Sequence, residues 1–233
     1  MNDVMKTTCR VNEIFYSVQG ESTWAGERCV FVRLTGCHLR CHYCDTEYAF
    51  REGTAMTIEE IAAEVDRIGN GCDLVEVTGG EPLLQKSAAT LMKVLCDQGK
   101  TVMVETSGAC DISVCDSRVI RIMDLKSPGS GEVDRNDWAN IAKLSQQDEV
   151  KFVLCDRADY EWARDVIAEH QLDQKVKAVL ISAAGEMAGT NEIKGVAGLD
   201  PKVLTEWVLE DGLNVRMQVQ MHKVIWDPML RGV

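Results

Sequence analysis

Apolar, β-branched runs of strand length recur along the chain at Arg28–Leu34, Asp73–Thr78, Thr101–Glu105, Val119–Leu125, Glu149–Leu154 and Lys177–Ile181. Nearly continuous apolar runs of this kind suit strands buried on both faces. A seventh stretch, Asn214–Gln220, alternates through Val215, Met217 and Val219. Helical periodicity fills most of the intervals. Thr57-Ile-Glu-Glu60 reads as a capping box opening a helix over Ile58–Ile68, with Ile58, Ile61, Ala62 and Val65 on one face. Ser87–Gln98 follows, with Gly99 as its C-terminal cap. Asp137–Leu144, Tyr160–His170 and Pro201–Leu209 are further helices, the last with Asp200 at N-cap and Pro201 in the first turn. The stretch between Glu105 and Val119 is too broken for a helix.

Strands alternating with helices imply βαβ units and a parallel sheet. About six units fall short of an eight-unit barrel, which typically needs about 250 residues. The expected fold class is therefore α/β, an incomplete and partly open parallel barrel, with a doubly wound sheet as the alternative. In either, ligands gather at the C-terminal ends of the strands.

Composition narrows the classes. The 233 residues are 45% hydrophobic, enough for a packed core, and no apolar run approaches the length of a membrane helix. With 25 Lys+Arg against 37 Asp+Glu the net charge is −12, which repels phosphate backbones and argues against nucleic acid as a partner. The start carries Asp3 and Glu13 and no apolar signal segment, so the expected location is the cytoplasm. Ten cysteines are then the anomaly, because that compartment keeps thiols reduced.

Three of them form Cys37-His-Leu-Arg-Cys41-His-Tyr-Cys44, just after the first core strand. Chance supplies such a triplet about 0.02 times in a chain of this composition. The residues alone leave three readings: ordinary thiols, a zinc site completed by His38 or His42, or an iron–sulfur cluster with three thiolates and one open iron. The remaining seven cysteines are scattered and read as small buried hydrophobes. Thr78-Gly-Gly-Glu-Pro82 ends the second strand, where a ligand-facing loop belongs. Its glycines admit close approach to the backbone, and the Glu81 carboxylate can accept from an ammonium group.

C-x3-C-x2-C with an aromatic residue before the last cysteine, here Tyr43, resembles the signature of the radical S-adenosylmethionine superfamily. Gly-Gly-Glu resembles the element that holds the methionyl amino group in that superfamily. Residues 1–233 are accordingly expected to form a single domain of this type. In the superfamily the open iron chelates S-adenosylmethionine, and an electron from the reduced cluster releases a 5′-deoxyadenosyl radical.

Further motifs are similar to the 7-carboxy-7-deazaguanine synthase family of queuosine biosynthesis. They are Asn12-Glu-Ile-Phe-Tyr-Ser-Val-Gln-Gly-Glu21, Phe31-Val-Arg-Leu-Thr-Gly36, Cys44-Asp-Thr46, Val104-Glu-Thr-Ser-Gly108, Asp124-Leu-Lys-Ser-Pro128 and Gln220-Met-His-Lys223. The resemblance implies a carbon–nitrogen lyase that rearranges 6-carboxy-5,6,7,8-tetrahydropterin into 7-carboxy-7-deazaguanine and ammonia. It also implies a [4Fe–4S] cluster, S-adenosylmethionine, Mg²⁺, a homodimer and a flavodoxin- or ferredoxin-like reductant. Carried over residue by residue, Cys37, Cys41 and Cys44 hold the cluster. Tyr43, Cys44, Asp45, Gly80, Glu81, Asp124, Leu125 and Lys126 line the S-adenosylmethionine site. Val18, Gln19, Gly20, Arg33, Thr78, Glu105 and His222 face the pterin, and Thr46 gives an oxygen to Mg²⁺.

These roles have physical sense. Arg33 offers a planar fork that fits a carboxylate, and it interrupts an otherwise apolar strand. The Gln19 amide both donates and accepts. Two positions depart from the family pattern: Ser22 stands where glycine is frequent after Gln-Gly-Glu, and Asp124-Leu-Lys126 stands where some members carry Ser-Pro-Lys. The rival functions are a glycyl-radical-enzyme activase and a non-catalytic zinc-binding module.

Overall fold

A computed structural model describes residues 2–227 and 230–233. One nine-stranded sheet runs through it: β1 (Thr8–Val18), β2 (Arg28–Leu34), β3 (Thr54–Thr57), β4 (Leu74–Gly79), β5 (Thr101–Thr106), β6 (Ile120–Asp124), β7 (Glu149–Leu154), β8 (Ala178–Ala183) and β9 (Arg216–Gln218). The spatial order is β3-β1-β2-β4-β5-β6-β7-β8-β9. β1 is antiparallel to both β2 and β3, while every pairing from β2 to β9 is parallel. Among the described residues no ladder joins the two edge strands, so the barrel is partial, as the strand count implied. The loop after β1 spans the gap instead: the Gln218 amide donates to the Ser22 carbonyl at 2.7 Å and accepts from its N–H at 3.1 Å.

Helices α1 (Asn2–Met5), α2 (Ile58–Gly69), α3 (Lys86–Asp97), α4 (Arg157–His170), α5 (Leu172–Lys175), α6 (Pro201–Asp211) and α7 (Met221–Ile225) complete the main elements. The capping box at α2 is formed: Thr57 Oγ1 accepts from the Glu60 N–H at 3.2 Å, and Glu60 accepts from the Thr57 N–H at 2.7 Å. Its four apolar residues are buried, as the 3.6-residue period requires. α2 and α3 cover β1, β2, β4 and β5 in one apolar cluster, and α4 and α6 cover β7 and β8 in a second. With the outer faces covered, the inward positions are free to be polar. Glu76, Asp124, Lys151 and Ser182 are buried polar residues on four successive or near-successive strands.

Several boundaries differ from the sequence reading. β1 and β3 went unanticipated, because β1 carries Arg10, Asn12 and Glu13 and has a register shift between Val11 and Glu13 that breaks simple alternation. The helix expected over Asp137–Leu144 is a short 3-10 segment, Trp138–Lys143. The buried Asn140 explains it: its side chain donates to the carbonyls of Gly108 and Cys110 and accepts from the Ile112 N–H, stapling a neighbouring loop. The Asn214–Gln220 strand contracts to Arg216–Gln218, so His222 lies on α7 and not on a strand. Among the described residues no helix is long and apolar enough to cross a membrane.

Candidate active site

The cysteine loop leaves the C-terminal end of β2 and is fastened from both sides. The His42 N–H donates to the Ser130 carbonyl at 2.9 Å, and the Arg40 N–H donates to Glu132 at 2.6 Å. The Arg40 side chain reaches the carbonyls of Cys37 and Leu39, pairs with Glu192 at 2.9 Å and lies 4.2 Å over the Phe50 ring. Below it, the Glu81 N–H donates to the Gly36 carbonyl at 2.8 Å. Gly80 has to be glycine, since a Cβ there would sit 2.6 Å from both the Cys37 Cβ and the Gly36 oxygen. The two motifs found separately in the sequence are thus packed against each other.

The donor set fits a cubane better than zinc. Among the described residues no three His, Cys, Asp or Glu groups converge closely enough to hold one ion. A cubane asks each thiolate for a different iron, whereas structural zinc asks four ligands to meet at one point. His42 turns its Nδ1 to the Gly129 carbonyl, at 3.1 Å. Burial pushes all three thiols up, Cys41 to about 12, so ligation to a metal is what would draw their protons off. Two buried polar atoms beside the loop, the Tyr43 hydroxyl and Asp124 Oδ1, have no hydrogen-bond partner among the described residues. They are what a polar cofactor at this strand end would satisfy. Lys126 joins them, 2.8 Å from Asp124 Oδ2 and 5.8 Å over the Tyr43 ring.

The side chains of two residues expected at the cofactor are taken up by the protein itself. The Glu81 carboxylate is completely buried and already accepts from the N–H groups of Leu83 and Ser107 and from the hydroxyls of Thr106 and Ser107. It anchors the Gly-Gly turn to β5 and has no free face for an ammonium group. Leu125 buries its side chain in the second apolar cluster, and its N–H donates to the Lys151 carbonyl.

Inside the barrel, Arg33 on β2 is paired through Nε to Glu13 on β1 at 2.8 Å and is flanked by the rings of Phe15 and Tyr48. This pairing leaves the terminal edge of the fork for another partner. Thr78 neighbours it in register on β4. The Gln19-Gly20-Glu21 loop rises into the interior from the opposite end of the sheet. Gln19 is engaged by the protein on both atoms of its amide: Nε2 donates to Glu76, and Oε1 accepts from the Glu21 N–H at 2.8 Å. One N–H and one lone pair of the amide remain for a further partner. Val18 pairs with Arg28 at the far end of β2, about 20 Å of strand from the cysteine loop. Gly20 packs directly against His222, whose Nδ1 would lie 2.3 Å from any Cβ there. Ser22, the departure noted in the sequence, keeps the left-handed backbone at φ 63° that glycine would take more cheaply.

Residues that sequence reasoning missed dominate the interior charge. Lys151 on β7 pairs with Glu105 at 2.6 Å and with Glu21. Lys223 on α7 pairs with Asp45 at 2.5 Å and reaches Gln220 at 2.6 Å, and Gln220 in turn donates to Glu21. Burial alone would raise the Asp45 carboxyl, but Lys223, with Arg33 and His222, brings it down to about 2. Burial, together with Glu105 and Glu21, drives the Glu76 carboxyl well above its ordinary range. The available signal was a charge breaking an apolar strand, the same cue that singled out Arg33.

A family model described as the radical SAM superfamily matches residues 31–168. The chain is 44% identical over 227 residues to a protein of Koribacter versatilis named 7-carboxy-7-deazaguanine synthase, covering 96% of this chain and all of that one. The chain belongs to the 7-carboxy-7-deazaguanine synthase family. A second member so named, from Chlorobaculum tepidum, is 44% identical over 96% of each chain. The crystal structure of QueE from Escherichia coli shares the fold, with a TM-score of 0.66 and 20% identity over 91% of this chain and 94% of that one. As a family member the protein is a radical S-adenosylmethionine enzyme, with the [4Fe–4S] cluster and S-adenosylmethionine that this superfamily uses.

Proposed function

We propose that the enzyme converts 6-carboxy-5,6,7,8-tetrahydropterin into 7-carboxy-7-deazaguanine with loss of ammonia, as a carbon–nitrogen lyase of deazapurine biosynthesis. What supports this reading most is a sequence match that spans the chain, with Arg33 on the strand that leads into the cysteine loop. When bound, the cluster and S-adenosylmethionine supply an electron and a carbon radical for hydrogen abstraction.

The chain's own residues do the rest. Cys37, Cys41 and Cys44 hold the cluster. Tyr43, Asp45, Gly80, Asp124 and Lys126 receive the cofactor, while Glu81 acts by anchoring the turn. Arg33 offers its free edge to the substrate carboxylate, a pairing that gains from two parallel hydrogen bonds. Thr78, Glu105, Gly20 and His222 border the pterin. Thr46 heads the short 3-10 turn at Glu47–Phe50 without capping it, and its side-chain contact is Cys44 Sγ at 3.8 Å, which leaves an oxygen for Mg²⁺. Mg²⁺ retains waters and accepts few protein oxygens, so one hydroxyl suffices. The working form is a single-domain chain in a cytoplasmic homodimer fed by a flavodoxin- or ferredoxin-like reductant.

Anaerobic incubation with carboxytetrahydropterin, S-adenosylmethionine, reductant and Mg²⁺ tests the reading. The expected result is a deazaguanine product with the unaltered enzyme, and weakened pterin binding with a full cluster complement for Arg33→Ala. Cofactor cleavage without that product would overturn the substrate assignment in favour of another radical reaction.

A further inference from the structure

Lys151, on β7, stands where groups from β4, β5, β6, β8 and the loop after β1 converge. Its ammonium contacts Glu105 on β5 at 2.6 Å and Glu21 on the loop after β1, and its side chain is 7% exposed. Asp124 on β6 acts on it electrostatically, and Glu76 on β4 is coupled to the same set. Ser182 on the neighbouring β8 is buried, with a hydroxyl unpartnered among the described residues. The other charged groups facing this set are Arg33 on β2, which acts on Glu76, and His222 on α7, which acts on Glu21. One buried cation is therefore shared among several carboxylates on the pterin side of the barrel.

Resting on the pterin reading above, we propose that Lys151 is a positioning residue for substrate recognition: it keeps Glu21 ionised and holds Glu21 and Glu105 together on one ammonium as acceptors for the pterin. The chemistry that needs such acceptors is the aminopyrimidinone edge of a pterin, whose exocyclic amino group and ring N–H are adjacent donors. An ionised carboxylate accepts both, whereas a protonated one presents a donor to a donor. Burial without a cation would favour the protonated form. The two carboxyls report this contest. Glu21 is held below its ordinary range by Lys151, Gln220 and His222 despite burial, while Glu105 remains raised because burial outweighs the same lysine. Glu76, hydrogen-bonded to Gln19 and without a cation in contact among the described residues, is driven up by burial and by Glu105 and Glu21, which Lys151 and Arg33 at longer range offset only in part.

The test is binding of 6-carboxypterin, the oxidised and unreactive analogue, by calorimetry in buffers of different ionisation enthalpy, so that protons exchanged on binding are counted. The window is about pH 6 to about pH 7, between ordinary carboxyl titration and that of the pterin ring. For the unaltered enzyme the expected result is affinity constant within about threefold across the window, with no proton released on binding. For Lys151→Met, affinity should fall at least about tenfold at the acidic end, with release of up to about one proton. Lys151→Arg should restore the flat profile, and because Lys151 also helps hold His222 down, the same three proteins are compared with His222→Gln added, so that any proton counted there comes from the carboxyls. Release of a proton by the unaltered enzyme would overturn the proposal without any variant. So would a Lys151→Met loss that is the same at every pH, which marks a merely structural lysine. If the unaltered enzyme fails to bind 6-carboxypterin at all, the substrate reading falls, and infrared titration of the Glu21 and Glu105 carboxyls with and without Lys151 still decides whether the lysine sets their charge.

Discussion

Glu81 illustrates how the side chain of a motif residue can be committed to holding its own turn. Four donors converge on a carboxylate that water cannot reach. Hydrogen bonds to a buried charge are each worth more than neutral ones, and their loss strands the donors. Glu81→Gln should therefore cost about 3 kcal/mol of stability, read as a lower urea midpoint at unchanged slope. Glu76 predicts the opposite sense. Its folded-state carboxyl titrates well above the unfolded one, so the stability it supports is complete below the unfolded value and drains as pH rises toward the folded value. Glu76→Gln, which is neutral at every pH, should melt progressively higher than the unaltered protein as the buffer moves from about pH 5 to about pH 8. A constant difference in melting temperature would show that Glu76 is not held protonated.

The elements were legible where local chemistry and burial agreed. The capping box and the period of α2 named that helix within one residue, and β7 was bounded without error because Glu149-Val-Lys-Phe-Val-Leu154 has no competing pattern. Thr57→Ala should cost about 1 kcal/mol in denaturant unfolding, since it removes one half of the box. The cysteine loop, the Gly-Gly turn and Arg33 were legible because unusual residues at fixed spacing seldom arise by chance. What stayed hidden was decided by partners far away in sequence. Gln19 looked free until Glu76 took its amide, and the strand read as far as Gln220 stops at Gln218 because the chain turns there into α7. Lys151 gave a cue of the same kind as Arg33, but its meaning depended on Glu21, which is 130 residues away.

At the scale of the molecule, an open sheet made functional by its flanking segments differs from a closed barrel whose strands alone define the interior. Gln218, Met221, Gln220 and Lys223 join the last strand and helix to Ser22, Gly20, Glu21 and Asp45. A chain truncated after Val215 should still assemble the cluster, seen in its visible absorption, because the loops that hold the cysteines come from β2, β4, β6 and β8. It should bind 6-carboxypterin at least about tenfold more weakly, because the tie between Asp45 and Glu21 is gone. Equal binding by the truncated chain would remove α7 from the substrate site.

That tie also sets an order of events during synthesis. The cysteine loop leaves the ribosome early, on the second strand, and domains made in this direction acquire their first contacts from the N-terminal side. The segment that bridges the open edge is made after every other strand of the sheet. Lys223 and Gln220, which meet Asp45 and Glu21, are therefore among the last interior groups to be made.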